Sequence, residues 1–455
     1  MSKVSLTFFG GVNEIGGNKI LLKDGDTKVF LDFGLSFSKE KEYFAGYLCP
    51  RTVNGAGDYL EFGLLPKLKG VYDEEAIKNT KIKYVEPEID GVILSHAHID
   101  HIGYLHFIDE RVPVYCGEGT KIIIKAMEES SRFDFGEHEY TTFRTGEVIR
   151  IDSLEIEPVH VDHSIPAAYG FIIHTSEGSL AYSGDLRTHG PLRHMTWEFA
   201  EKAGEADVEL MISEGTRISP KENCKTHSET TVRRESSRVV ASTSKLVVAS
   251  FYSRDVDRFK TFYEIAKAND RKFVIPIKLA HFLHKLRDDP KLRIPDIMKD
   301  ETVVFHKKRK RSGEYQPQDY YTWERPFLDK AEGFRYIHDN QSKIIFNLDL
   351  VGFTELVDIK PFPGGDFIHS MSEPFSEEDI EVRVLHNWLN HFGLEFHQIH
   401  ASGHCPAKDL ARVVDTIQPR RLVPVHTEHP TIFKEKFRKY PVELVKEGDE
   451  ILLGG

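Results

Sequence analysis

Short apolar runs, each broken off by a glycine, an acid or a histidine, set the rhythm of the first half of the chain. Ser5-Leu6-Thr7-Phe8-Phe9, Lys19-Ile20-Leu21-Leu22, Lys28-Val29-Phe30-Leu31, Gly91-Val92-Ile93-Leu94 and Val112-Pro113-Val114-Tyr115 are of this kind. They are too short for helices and rich in β-branched and aromatic residues, so they predict strands alternating with helices over residues 1–213. From about Thr226 the pattern changes to longer helical stretches between buried strands such as Leu246-Val247-Val248-Ala249, Phe273-Val274-Ile275-Pro276 and Lys343-Ile344-Ile345-Phe346. After Glu395-Phe396-His397-Gln398-Ile399-His400 the first pattern returns and closes on Ile451-Leu452-Leu453. The expectation is an α/β chain with one discontinuous domain, 1–213 plus 393–455, interrupted by an α/β insertion over 214–392. Residues 36–70 carry little periodicity, as a functional or subunit-contacting excursion would.

What stands where the strands run out carries the chemistry. His96-Ala97-His98-Ile99-Asp100-His101 follows Gly91 to Ser95 directly, and then opens an apolar-periodic stretch (Ile102, Leu105, Ile108) as a helix start would. Three imidazoles and a carboxylate in one short loop suit borderline-soft cations, and the spacing lets alternate residues face two ions. A two-metal site needs more ligands than one loop holds. Asp32, His163 and Asp185 each sit where an apolar strand ends, the place where functional loops gather in layered α/β proteins. An isolated aspartate there is more often a turn or cap residue; several such places in one chain point to a site.

These segments together resemble the metallo-β-lactamase fold, an αββα sandwich, with successive motifs at Asp32, His96 to His101, His163 and Asp185. Ser213-Glu214-Gly215-Thr216, Ser402-Gly403-His404 and Pro424-Val425-His426-Thr427-Glu428 resemble motifs A, B and C of its β-CASP branch, which works on nucleic acids. The opening Gly10-Gly11-Val12-Asn13-Glu14-Ile15-Gly16-Gly17-Asn18 and Asp162-His163-Ser164-Ile165-Pro166 are similar to ribonuclease J, above all its archaeal form. The resemblance runs over essentially the whole chain.

The resemblance implies a zinc-dependent hydrolase that degrades RNA from 5′ to 3′ and leaves 5′ phosphates, with endonuclease activity as an addition. It implies two Zn2+ per chain, with Mn2+ as a substitute: one on His96, His98 and His163, one on Asp100, His101 and His426, and Asp185 between them. Asp100, Asp185 and His404 would be catalytic, His404 as oxyanion stabiliser or proton donor to the leaving oxygen. Asp32 and Glu214 would accept the second N–H of ligand histidines. Ser402, Gly403 and His404 would meet the scissile phosphate, and Ser253 and Arg258, in Ser250-Phe251-Tyr252-Ser253-Arg254-Asp255-Val256-Asp257-Arg258, a terminal 5′ monophosphate. Arg254 and Asp255 depart from the bacterial pattern there. The expected partner is single-stranded RNA, preferably 5′-monophosphorylated. Bacterial family members continue into a linker and a further domain, so a homodimer of this chain would use another surface.

Composition narrows the setting. Among 455 residues, 60 Lys+Arg against 72 Asp+Glu argue against an unspecific nucleic-acid coat, though a local basic lining still suits an RNA nuclease. His306-Lys307-Lys308-Arg309-Lys310-Arg311 is the dense cationic run that supports such a lining. Four widely spaced cysteines, Cys49, Cys116, Cys224 and Cys405, indicate neither a disulfide framework nor a zinc knuckle. The start lacks a signal core and no apolar run approaches a membrane span, so a cytoplasmic enzyme without membrane partners is expected. A cleavage-and-polyadenylation-type endonuclease is the close rival, argued against by the Gly10 to Asn18 opening, the form of motif C and the lack of an N-terminal RNA-binding module. A small-molecule hydrolase of the glyoxalase or lactonase kind would share only the first motifs and have no use for the insertion or His404. A non-catalytic RNA scaffold would be free to lose ligands that are all present.

Overall fold

In the strand Val4–Gly10, Val4, Leu6 and Phe8 recur at every second position and are fully buried, which gives the strand one dry face. The same alternation in its neighbours builds a layer. The computed structural model, which describes residues 3–220, 227–311, 315–372 and 380–454, contains three sheets. The first is seven-stranded, in the order Glu450–Leu452, Val4–Gly10, Lys19–Asp24, Thr27–Phe33, Gly91–Ile93, Val114–Gly117, Tyr140–Phe143. The second is six-stranded, in the order Arg421–Val425, Val208–Glu214, Gly178–Tyr182, Ala168–Thr175, Leu154–Val161, Ile149–Ile151.

These two sheets face each other through Leu6, Phe8, Ile20, Leu31, Phe171, Ile173, Leu210 and Val423. Helices cover both outer faces. Arg193–Glu205 and Ala407–Ile417 pack on the second sheet, the latter through Leu410, Val413, Val414 and Ile417, one stripe at helical spacing. Glu118–Ser130 covers the first through Ile123, Ile124 and Met127, and the same apolar body continues into Phe262 and Ile275 of the insertion. This is the expected αββα metallo-β-lactamase sandwich with an additional β-CASP-like domain.

The insertion is built on the third sheet, seven-stranded and parallel throughout: Ala331–Glu332, Val303–His306, Lys272–Pro276, Ile344–Asn347, Val247–Ser250, Gly365–His369, Leu394–Gln398. Its last strand lies just past the expected boundary at 393: Leu394–Gln398 pairs with Gly365–His369 and not with either sandwich sheet. The strand is polar on one side (Glu395, His397) because it is an edge strand, and that polarity hid its allegiance. His400, expected on a strand, lies beyond it in irregular backbone.

Two other expectations change. The helix after His98 is a single turn, Ile99–Ile102, followed by the 3-10 turn Leu105–Phe107. The 36–70 region holds short helices, Phe37–Tyr43 and Gly57–Glu61, pinned by the stacked rings of Tyr43 and Phe62 at 4.3 Å. Among the described residues no helix is long and apolar enough to cross a membrane.

Candidate metal centre

The strands Thr27–Phe33 and Gly91–Ile93 run side by side in parallel, so their carboxyl ends bring Asp32 and the 96–101 loop together. His163 follows Leu154–Val161, Asp185 follows Gly178–Tyr182, and His426 follows Arg421–Val425 in the facing sheet. Seven side chains thereby converge from both layers. His96, His98, His163 and Asp185 form one group with ligand atoms within 4.8 Å of one another, and Asp100, His101 and His426 a second. Asp185, His404 and His426 form a third that overlaps the others.

Within the first group, Nδ1 of His98 lies 3.0 Å from Nε2 of His96 and 3.1 Å from Nε2 of His163. Three ring nitrogens this close cannot all be protonated. Burial in each case pushes these imidazoles below their ordinary pKa, His98 to about 3, so they are neutral bases with lone pairs turned inward. In the second group His426 Nε2 lies 3.1 Å from Asp100 Oδ2, and His101 Nε2 lies 3.3 Å from Asp185 Oδ2 without hydrogen-bond alignment. Burial opposes a charge on His101, but Asp185 and then Asp32 overcome that and hold its pKa well above normal. His101 Nε2, Asp185 Oδ1 and His404 Nδ1 are buried with no hydrogen-bond partner. Inward lone pairs, orphaned donor atoms and buried carboxylates are what a bound divalent cation would satisfy.

The opposite edges of the rings are anchored one by one. His101 Nδ1 donates to Asp32 at 2.7 Å, His163 Nδ1 to the Gly403 carbonyl at 2.6 Å, and His96 Nδ1 lies 3.0 Å from the Ser95 hydroxyl. His426 Nδ1 is 2.8 Å from the Thr216 hydroxyl. Asp32 also accepts from Ser95 N–H, the Ser95 hydroxyl and the Tyr182 hydroxyl. Asp32 and His426 both hold φ near +55° (58° and 53°), a costly conformation for non-glycine residues that the surrounding bonds enforce. The glycine-rich opening serves the same loop. Gly17 N–H and Asn18 N–H donate to the Asp100 carbonyl, and buried Lys19 ties Gly17 and Gly34 carbonyls together. At Gly34 a Cβ would stand 1.7 Å from the Asp100 carbonyl oxygen, so no other residue lets the loop sit so low.

Several expected roles change. Glu214 faces His404 Nδ1 at 3.4 Å and accepts the N–H of Thr216 and Cys405, so the imidazole it faces is not one of the five in the first two groups. Burial opposes a charged His404, yet Glu214 and then Asp185 raise its pKa to about 9. Ser402 Oγ accepts from His404 N–H, and at Gly403 a Cβ would stand 2.7 Å from Ser164 Oγ. Arg258 is wholly buried and saturated by Glu229 at 2.8 Å, the Ser370 and Ala401 carbonyls and the Ser370 hydroxyl, so it cannot cradle a 5′ phosphate. Ser253 is exposed in a turn, and the cap of the following helix is Asp255. In the cationic run, His306, Arg309, Lys310 and Arg311 pair with Glu355, Asp358, Glu324 and Asp319. Cys49, Cys116 and Cys405 are free thiols; Cys224 lies outside the described residues.

Sequence reasoning missed Ser95, Tyr182, Thr216 and Arg187. Thr216 closes the Ser213 to Thr216 motif and Ser95 directly precedes His96, which was the available signal. Nothing local marks Tyr182, or Arg187, which is fully buried between Asp162 at 2.9 Å and Asp257 at 2.7 Å.

Comparison with known proteins agrees with this arrangement. Residues 74–244 match the β-lactamase superfamily domain, and residues 393–448 match the Zn-dependent metallo-hydrolase RNA specificity domain, which contains His404 and His426. Ribonuclease J of Helicobacter pylori is 23% identical over the whole of this chain, which spans 61% of that protein; ribonuclease J 2 of Streptococcus pyogenes is also 23% identical, with 76% covered. Ribonuclease J of Pyrococcus abyssi is 27% identical over 50% of this chain and 48% of its own, so the likenesses single out neither an archaeal nor a bacterial form. A crystal structure of a protein of unknown function from Enterococcus faecalis superposes over 99% of this chain and 100% of its own with a TM-score of 0.77 at 24% identity, a likeness of fold. The chain therefore has the metallo-β-lactamase fold with a β-CASP-like additional domain, matches a β-lactamase superfamily domain and a Zn-dependent metallo-hydrolase RNA specificity domain over those two segments, and is distantly similar to ribonuclease J.

Proposed function

We propose that the chain is a zinc-dependent ribonuclease that hydrolyses single-stranded RNA, working from the 5′ end and leaving 5′-phosphorylated products. The observation that carries this reading is that His404 and His426, both within the matched RNA specificity segment, reach the same Asp185 as the histidines of the sandwich. His96, His98 and His163 would hold one ion, Asp100, His101 and His426 the other, with Asp185 shared. Zn2+, or Mn2+ in its place, supplies Lewis acidity toward the phosphate and brings the ionisation of water near neutral pH. The protein's own contributions are distinct. The neutral imidazoles of His96, His98 and His163 preserve that acidity, and Asp32, Gly403, Ser95 and Thr216 fix ring orientation from behind. His404, kept protonated by Glu214, is the donor to the departing 3′ oxygen.

A cavity of about 1060 Å3 between sandwich and insertion reaches His163 and is walled by Tyr169 and Pro166 on one side and Val256 and Lys260 on the other, room for a strand end. A preference for 5′-monophosphorylated RNA rests on kinship alone, now that Arg258 is committed elsewhere. The deciding assay uses one RNA labelled at either end, with zinc or manganese, and a second set bearing 5′ monophosphate, triphosphate or hydroxyl. Early 5′ mononucleotides support the exonuclease reading. Internal fragments first would favour an endonuclease of the cleavage-and-polyadenylation kind, and no RNA hydrolysis would remove the reading.

A further inference from the structure

A single carboxylate of the insertion stands between two parts of the metal centre. Glu229 opens the helix Glu229–Ser242 and is buried. Its Oε1 accepts from Arg258 Nη2 at 2.8 Å and from Arg187 Nη1 at 3.5 Å, and its Oε2 accepts from Arg258 Nε at 3.3 Å. Two buried guanidinium groups that share one carboxylate would repel each other without it, so the bridge fixes their separation as well as their direction.

Each arginine leads to a different loop. On one side, Arg187 N–H donates to the Asp162 carbonyl at 2.7 Å and Arg187 Nε to the Asp162 carboxylate at 2.9 Å. The Thr196 hydroxyl closes the same junction, accepting from Asp162 N–H and donating to the Arg187 carbonyl. The two loops are thereby held as one piece, one residue from His163 and two from Asp185. On the other side, Arg258 Nη2 donates to the Ala401 carbonyl at 3.2 Å, three residues before His404. A second route runs beside it: Glu229 N–H donates to the His189 carbonyl at 3.4 Å, and His189 Nε2 donates to the Ser402 carbonyl at 2.9 Å. The circuit closes where His163 Nδ1 donates to the Gly403 carbonyl. None of these bonds touches the His404 ring, whose Nδ1 faces Glu214 at 3.4 Å and Asp185 at 3.8 Å. They set where its backbone stands relative to Asp185.

We propose that Glu229 is a positioning residue for protonation of the leaving oxygen: by bridging Arg187 and Arg258 it sets His404 against the Asp185 loop, and it ties that placement to the seating of the insertion on the sandwich. The assignment rests on the reading of His404 as proton donor and deepens it. In the step concerned, the oxygen of water joins phosphorus, the bond from phosphorus to the 3′ oxygen breaks, and the departing oxygen takes the proton of His404, which is left neutral. A donor works only within hydrogen-bond reach of that oxygen, and a displacement of about 1 Å costs up to about 10²-fold. The signature is therefore selective: a misplaced donor harms a substrate in proportion to the basicity of its leaving oxygen.

The test compares Glu229→Gln, which keeps the shape and removes the charge, and His189→Leu, which removes the bond to Ser402, with the unmodified chain. The substrates are an oligoribonucleotide and two aryl esters of uridine 5′-monophosphate, p-nitrophenyl and phenyl, of which the phenyl ester depends far more on a proton at its leaving oxygen. Bound zinc is measured in each protein. Glu229→Gln should lower kcat on RNA and on the phenyl ester by about 10–100-fold, leave the p-nitrophenyl ester within about threefold, and change neither KM for RNA nor zinc content. Combined with His404→Ala it should cost little more than His404→Ala alone, because the donor it positions is gone. His189→Leu should move the ester ratio in the same direction by a smaller factor, and it decides the matter if urea unfolding shows that Glu229→Gln does not fold. Equal losses on both esters, loss of zinc, or full additivity with His404→Ala would overturn the proposal and leave Glu229 as scaffold alone. RNA left intact while the esters show the expected ratios would remove the ribonuclease reading and keep the positioning role; RNA cleaved with an unchanged ester ratio in both variants would do the reverse. Hydrolysis of none of the three substrates by the unmodified chain would remove both.

Discussion

Two buried clusters of charge lie side by side in this molecule, and they are built on opposite rules. Around Arg187 and Arg258, the carboxylates of Asp162, Glu229, Asp257 and Asp255 close a network across the sandwich and the insertion. Each guanidinium nitrogen there has a partner, and the network joins residues adjacent to His163 and Asp185 to the helix Glu229–Ser242. Around Asp185, imidazole lone pairs turn toward one another and donor atoms stay orphaned. Buried charge satisfied within the chain is scaffold; buried charge left unsatisfied waits for something the chain does not contain.

The strongest way to break the comparison is at Asp185. Asp185→Asn and His98→Ala are each expected to abolish hydrolysis while oligonucleotide binding survives, with the loss worse for the shared carboxylate than for a residue of one group. Full activity with two zinc ions per chain in either variant would dissolve the distinction. His404→Ala comes next, with turnover lower by about 10²–10⁴-fold and both ions retained. Loss of an ion from that variant would move His404 among the ligands, where its contact with Asp185 and His426 already makes it a candidate.

On the scaffold side, Arg187→Ala or Arg258→Ala should destabilise the fold by about 3–5 kcal/mol, because buried carboxylates are left without a counter-charge. Urea unfolding measures it. A variant at Arg258 that keeps full stability yet loses discrimination between 5′ ends would return that residue to the substrate. The smallest effect is one of pH. Burial raises the pKa of Asp255 to about 7, with Arg258 pulling it down and Glu229 pushing it up, against an ordinary value of 3.8. Between those two values the folded chain keeps a proton that the unfolded chain has released, so this group makes stability fall as pH rises through the window. Asp255→Asn, which retains the cap on Arg258 N–H, should therefore gain on the unmodified chain from about pH 4 to pH 7 and hold a constant difference above it. Parallel stability profiles for the two proteins would show that Asp255 is ionised throughout.

The apolar alternation of Leu6 and Phe8, the strand-then-acid or strand-then-histidine pattern at Asp32, His96, His163 and Asp185, and the change of rhythm near Thr226 were all legible along the chain, because strand period and strand end are local properties. An α/β chain with an inserted domain followed from them; the sandwich, His426 and the grouping of these side chains came from the resemblance of the motifs. What surrounds the side chains was not legible. The sheet to which Leu394–Gln398 belongs, the partner of Glu214, and the fate of Arg258 depend on which surfaces meet across hundreds of residues of separation, and a guanidinium reads the same in sequence whether it is saturated or open. Residue type sets which bonds a side chain can make; only tertiary packing decides which of them are already made, and therefore which remain for a ligand.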